Sequence, residues 1–85
     1  MKTGAIVYVV GSEKLDDNFD PGEAMEGLTI NADRVEFVGP KIGHFDVMDA
    51  WWLLLTKGMS RVICITAEVV NDKLKPTGKE LRLYG

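Results

Sequence analysis

The sequence predicts a small α/β domain with a mostly parallel sheet. Two strongly apolar runs, residues 5–10 (AIVYVV) and residues 61–67 (RVICITA), are typical of strands buried on both faces. Two helix signatures and a strand of mixed polarity lie between them, so the predicted order is strand, helix, strand, helix, strand. Such alternation favours parallel pairing through right-handed crossovers.

All 85 residues are expected to form one domain, since the chain is too short for two cores and long enough for one. The net charge of −3, without a dense basic stripe, argues against binding to nucleic acid. The single cysteine, Cys64, excludes an internal disulfide, and the apolar run near the start is too short for a signal peptide. We therefore expect a cytoplasmic location.

The first helix is predicted from a compact N-terminal signature. Asp20 can act as the cap, Pro21 occupies the first helical position, and Glu23 can reach back to the cap. Gly27 offers a stop after about two turns, although the helix could also continue to about Ile30.

The polarity of the strands predicts their order in the sheet. Residues 33–38 (DRVEFV) mix polar and apolar side chains, as an edge strand does, whereas the first and third strands are more apolar. The predicted order is therefore 2-1-3, with the two helices on opposite faces. Residues 76–78 (PTG) predict a turn, and the alternation in residues 81–84 predicts a C-terminal antiparallel strand that pairs back on the sheet.

The second helix is predicted over residues 46–58, and its ends are clearly marked. Asp46 suits the N-cap, and Asp49 adds a favourable negative charge in the first turn. Lys57 suits the C-terminal end, where Gly58 can adopt the left-handed conformation that closes a helix. Between residues 47 and 55 only Asp49 is polar.

Because this helix is apolar around most of its circumference, it must be covered on more than one side. The alternatives are cover by the chain's own sheet and loops, or burial of one face in a homodimer whose interface contains Trp51, Trp52 and Leu55. The apolar segment is too short to span a membrane, and it lacks the basic polar face of a membrane-surface helix. Basic residues do not interleave the tryptophans, as they would in a single-strand nucleic-acid platform.

A candidate ligand site lies where the parallel strands end. The segments that leave the carboxyl ends of such strands meet at one edge, where open α/β folds bind ligands. A small phosphate- or carboxylate-bearing ligand could be held there, and His44 could carry a proton. The predicted ligand-binding residues are Ser12, Gly39, Lys41, Gly43 and His44.

Several features weaken this ligand hypothesis. The sequence GPKIGH matches neither phosphate-binding glycine motif, and Pro40 removes one amide donor. Asp46 and Asp49 place negative charge at the same helix end, so a plain strand-to-helix connection is the alternative interpretation.

Other chemistry has less support. Helix capping already explains Asp46 and Asp49, so no metal site is predicted around His44, and residues 16–27 depart from the calcium-binding loop pattern. Cys64 lies in an apolar strand, where an inert core role is expected. With one histidine the chain offers no recognisable catalytic triad, so catalytic residues stay unidentified and no cofactor is predicted.

The sequence thus favours an interaction domain that associates with itself or with another protein through the Trp-rich helix or a sheet edge. The alternative is a small-molecule binding protein or minor enzyme that uses the strand carboxyl edge.

Overall fold

The computed structural model describes residues 2–15, 20–25, 30–44, 46–71 and 73–83. Four strands form one mixed sheet in the order β2-β1-β3-β4. β1 pairs in parallel with both β2 and β3, and β4 pairs antiparallel with β3. These findings confirm the α/β class, the predicted 2-1-3 order and the C-terminal antiparallel strand. The strand bounds are Thr3–Val10 for β1, Arg34–Val38 for β2, Arg61–Val70 for β3 and Lys73–Leu83 for β4.

The two predicted helices differ greatly in length. α1, Pro21–Ala24, is a single turn, and Ile30 is not helical. Residues 26–29, which include the predicted stop at Gly27, lie outside the described residues, so the predicted alternation is seen only in part. α2, Val47–Thr56, has ten residues and the expected cap, because the Asp46 side chain accepts a hydrogen bond from the Met48 amide.

Two apolar clusters lie on opposite faces of the sheet, because successive strand residues point to opposite sides. Ile6 packs with α2, whereas Val7 packs on the other face near Ala24 of α1. The predicted placement of the two helical segments on opposite faces is therefore confirmed. The α2 cluster contains Ile6, Val38, Ala50, Leu54, Met59, Val62 and Cys64, and the other contains Val7, Val9, Ala24, Ala67 and Leu74.

α2 lies close to β1 and covers only part of its face. A Cβ atom at Gly4 would stand 3.0 Å from both Leu54 methyl groups, so this glycine allows the close approach. The helix packs on β1 and β2 rather than centrally over all four strands.

The expectation of burial on both faces is wrong for the carboxyl-terminal half of β1, and β3 continues to Val70, beyond the predicted run of residues 61–67. Tyr8, Val10 and Val70 are exposed, and strand alternation places them on the α2 face. The α2 cluster reaches Val62 and Cys64 in the first half of β3, so the uncovered part of this face lies at the carboxyl-terminal ends of β1 and β3.

The turn predicted at residues 76–78 is also wrong. The β3–β4 hairpin closes at the Val70 and Lys73 pair, next to Asn71, whose φ of 52° lies in the left-handed region that asparagine tolerates. Pro76 instead lies within β4, where it pairs with Ala67 beside a register shift. An irregularity on an edge strand accommodates proline, because the missing amide costs no ladder hydrogen bond there.

Candidate functional site

The segment of residues 39–44 folds back along the outer edge of β2. The Gly39 amide donates to the His44 carbonyl at 2.7 Å, and the His44 amide donates to the Phe37 carbonyl at 3.2 Å. His44 thereby forms a parallel bridge with Val38. The predicted ligand loop therefore caps the end of an edge strand.

Both glycines of this loop approach other parts of the chain closely. A Cβ atom at Gly43 would collide with the Phe37 carbonyl oxygen, and one at Gly39 would stand 2.7 Å from the Ser12 hydroxyl oxygen. Gly39 also has a φ of 150°. Both glycines thus allow the backbone to approach other atoms of the chain, where a close approach to a ligand had been expected.

Four of the loop amides already have acceptors. Besides the two bonds to His44 and Phe37, the amides of Ile42 and Gly43 point to the Gly39 carbonyl at 3.2 and 3.5 Å. Pro40 has no amide hydrogen. An anion at this edge would have to compete with these internal bonds.

Lys41 and Ser12 lie on the β1 side of the loop. The Lys41 ammonium group donates to the Leu15 carbonyl at 3.3 Å, and its backbone has a φ of 68°. A left-handed position costs a non-glycine residue about 1–2 kcal/mol. The Ser12 side chain is fully buried against Gly39, and its hydroxyl makes no hydrogen bond.

His44 is directed elsewhere. Its Nε2 atom lies 3.8 Å from Glu36, which also forms a 3.0 Å ion pair with Arg34. Alternation along β2 places Glu36 on the α2 face, because Val38 packs with α2. The structure thus places Gly39 against Ser12 and the Lys41 ammonium group at Leu15, whereas His44 faces Glu36.

The three predicted interface residues do not lie on one common surface. Trp51 and Leu55 pack against the α2 core cluster, and the buried Trp51 indole N–H has no hydrogen-bond partner. Trp52 is 61% exposed, and its ring centre lies 6.3 Å from that of Trp51. Met48, one helical turn before Trp52, is 49% exposed. We call Met48 and Trp52 the helix ridge.

A second apolar surface lies beside α2 on the same sheet face. It consists of Tyr8, Val10 and Val70, which are 40%, 49% and 36% exposed. We call these three residues the sheet strip. Among the residues whose side chains the structure describes, which leave out residues 78–83, the helix ridge and the sheet strip together hold all the large apolar side chains that are exposed, and all five lie on the α2 side of the sheet.

Sequence reasoning missed four of these five residues. Met48 stands four residues before Trp52, a spacing that puts both on one helix face. Tyr8 and Val10 share a strand face because they are two residues apart. These signals were present, but the sequence did not show which strands α2 leaves uncovered.

Both outer strands carry features that discourage pairing at the sheet edges. The bridge to His44 occupies the end of β2, where the charged pair Arg34 and Glu36 also lies. On the other edge β4 carries the exposed residues Lys73, Lys75 and Pro76. Lysine, proline and bulges are common devices that keep edge strands from pairing.

Three further features bear on chemistry. Cys64 is buried, and burial raises the pKa of its thiol. In the described part of the chain no three histidine, cysteine, aspartate or glutamate side chains cluster as metal ligands. None of the helices described there has the length and apolar character needed to cross a membrane.

No protein-family model, curated protein or solved structure is significantly similar to this chain.

Proposed function

We propose that this chain is a protein-interaction domain that self-associates through the helix ridge. The supporting observation is that, among the residues whose side-chain exposure the structure describes, the exposed large apolar side chains all lie on one side of the sheet. Scattered apolar residues are normal on protein surfaces, whereas their concentration on one face marks an interaction site. Tryptophan and methionine are also enriched at interfaces.

The helix ridge is a better association surface than a sheet edge. Pairing through β2 would have to displace or bypass the bridge that His44 makes with Val38. Pairing through β4 would bring lysine-bearing strands together. Ala50 and Leu54 occupy the inner face of α2. The ridge therefore presents Trp52 on the outer face of the helix.

The anion-binding alternative has two observations in its favour, the left-handed backbone of Lys41 and the unbonded hydroxyl of Ser12. Strained residues concentrate at functional sites. Against it, the loop amides already donate to carbonyl oxygens within the chain. Titration with inorganic phosphate and with acetate tests it: saturable amide shifts at Ser12 and across residues 39–44 support a site, and unchanged shifts contradict it.

Sedimentation equilibrium over a concentration series tests the self-association. The wild-type chain is expected to form a dimer, and Trp52→Ala should raise the dimer dissociation constant at least about 30-fold, as loss of an interface hot spot does. The exposure of Trp52 means that thermal unfolding of the monomer should change little.

Glu23→Ala provides the control, because Glu23 is exposed on α1 at the opposite face and should leave the dissociation constant unchanged. A wild-type chain that keeps the mass of one copy throughout the micromolar range would refute the proposal.

A further inference from the structure

We propose that the surface receiving the helix ridge is the sheet strip of a second copy. Two chains then pack face to face, with their α2 helices side by side between two sheets. Each ridge contacts the other copy's strip, so the contact occurs twice. This inference rests on the proposed self-association and adds to it the partner surface.

The sheet has room for one additional helix on its α2 face. Four strands about 4.8 Å apart provide a face wide enough for two helices of about 10 Å diameter. α2 packs on β1 and β2. Because Val62 and Cys64 of β3 are buried in the α2 cluster, the space for a second helix lies over the carboxyl-terminal ends of β1 and β3, where the strip residues are exposed.

The area needed by a stable dimer also favours reciprocal packing. A specific interface buries about 800 Å² on each partner. The exposed parts of Met48 and Trp52 supply on the order of 200 Å², so contact between two ridges alone is too small. Reciprocal packing adds the sheet strip and the surfaces around it to the buried area of each copy.

The charges that border the two surfaces have opposite net signs: acidic at the start of α2, and basic beside the strip, where Lys73 and Lys75 outnumber Glu68, which pairs with Val10 and with Lys75. Asp46 and Asp49 are exposed in the first turn of α2, at the Met48 end of the ridge. Lys73 and Lys75 are exposed on β4, where Lys73 pairs with Val70 of the strip. A two-fold axis along the strands would set the acidic turn of each copy near the lysines of the other.

This packing explains why α2 is apolar around most of its circumference. Its inner face is buried by its own sheet, and its outer face would be buried by the sheet of the second copy. A helix that is apolar all round is expected to be buried in this way. Tyr8 and Val10 are exposed in one chain because, in this packing, the helix ridge of the second copy covers them.

A mixing experiment tests the reciprocal contact. The first variant is Trp52→Ala, which keeps the strip, and the second is Val10→Asp, which keeps the ridge. Each homodimer has two damaged contacts, whereas the heterodimer keeps one intact contact between the second variant's ridge and the first variant's strip. Native mass spectrometry of the mixture should show the heterodimer at least about tenfold above the amount expected from the two homodimer constants.

The possible results separate the two proposals. A dimeric wild type together with a heterodimer at only the statistical amount overturns the reciprocal contact and leaves self-association standing. A monomeric wild type overturns the self-association itself. Val70→Lys replaces Val10→Asp if the latter does not fold, and Glu23→Lys, on the opposite face, is the control that should leave the dimer unchanged.

Discussion

At the scale of single residues, glycine positions could be recognised in the sequence but their purpose could not. Gly39 and Gly43 predicted close backbone approach, and both do make one. Gly39 approaches the Ser12 hydroxyl, 27 residues away in sequence, and Gly43 approaches the Phe37 carbonyl across the turn that the folded loop makes. Such contacts depend on the folded arrangement and leave no local pattern.

Gly43→Ala should destabilise the chain by about 1–3 kcal/mol, because the added methyl group collides with a backbone oxygen of β2 that cannot easily move. Urea unfolding measures the change. Gly11→Ala is the comparison: its Cβ meets nothing within 4 Å, but its φ of 79° makes alanine cost about 1 kcal/mol. If Gly43→Ala costs less than Gly11→Ala, the proposed packing of the loop on β2 is wrong.

Cys64 gives a prediction for pH dependence. Burial raises the pKa of its thiol in the folded chain, so the folded state keeps the proton at a pH where the unfolded chain has lost it. The resulting stability is fully present below about pH 8.5, the usual thiol pKa, and is lost as the pH rises from there through the raised value. The stability difference between wild type and Cys64→Ala should therefore fall above about pH 8.5. A difference that stays constant up to about pH 10 would contradict this expectation.

At the scale of elements, local signals predicted α2 well. Its ends depend on residues within the helix and next to it, namely Asp46 at the N-cap, Lys57 at the C-cap and Gly58 with a φ of 87°. The hairpin was misplaced because Pro76 and Gly78 suggested a turn more strongly than Asn71 did. Whether proline ends a strand depends on the neighbouring strand, which the local sequence does not describe.

Replacement of the helix cap provides a test at this scale. Asp46→Ala should lower the free energy of unfolding by about 1 kcal/mol, because the Met48 amide loses its 2.9 Å acceptor. Asp46→Asn keeps a side-chain oxygen and should recover most of that loss. Equal stability of the two variants in urea unfolding would show that the cap contributes little.

At the scale of the whole molecule, strand order and pairing direction followed from the alternation of elements and from strand polarity. The sequence pattern did not indicate which parts of the sheet α2 covers. Apolar β1 looked buried on both faces, but α2 packs on β1 and β2 and leaves Tyr8 and Val10 exposed. The sequence therefore specifies apolar surface that this arrangement of one chain does not bury.

The central claim is that a second copy buries Trp52, and a chain with a single tryptophan tests it most directly. Trp51→Phe retains an aromatic ring at the packed position and leaves Trp52 as the only indole. Light scattering and tryptophan emission would be recorded on the same samples over a concentration series. We expect the emission to shift to shorter wavelength as the mass doubles. A constant single-chain mass with emission typical of exposed tryptophan would contradict the claim.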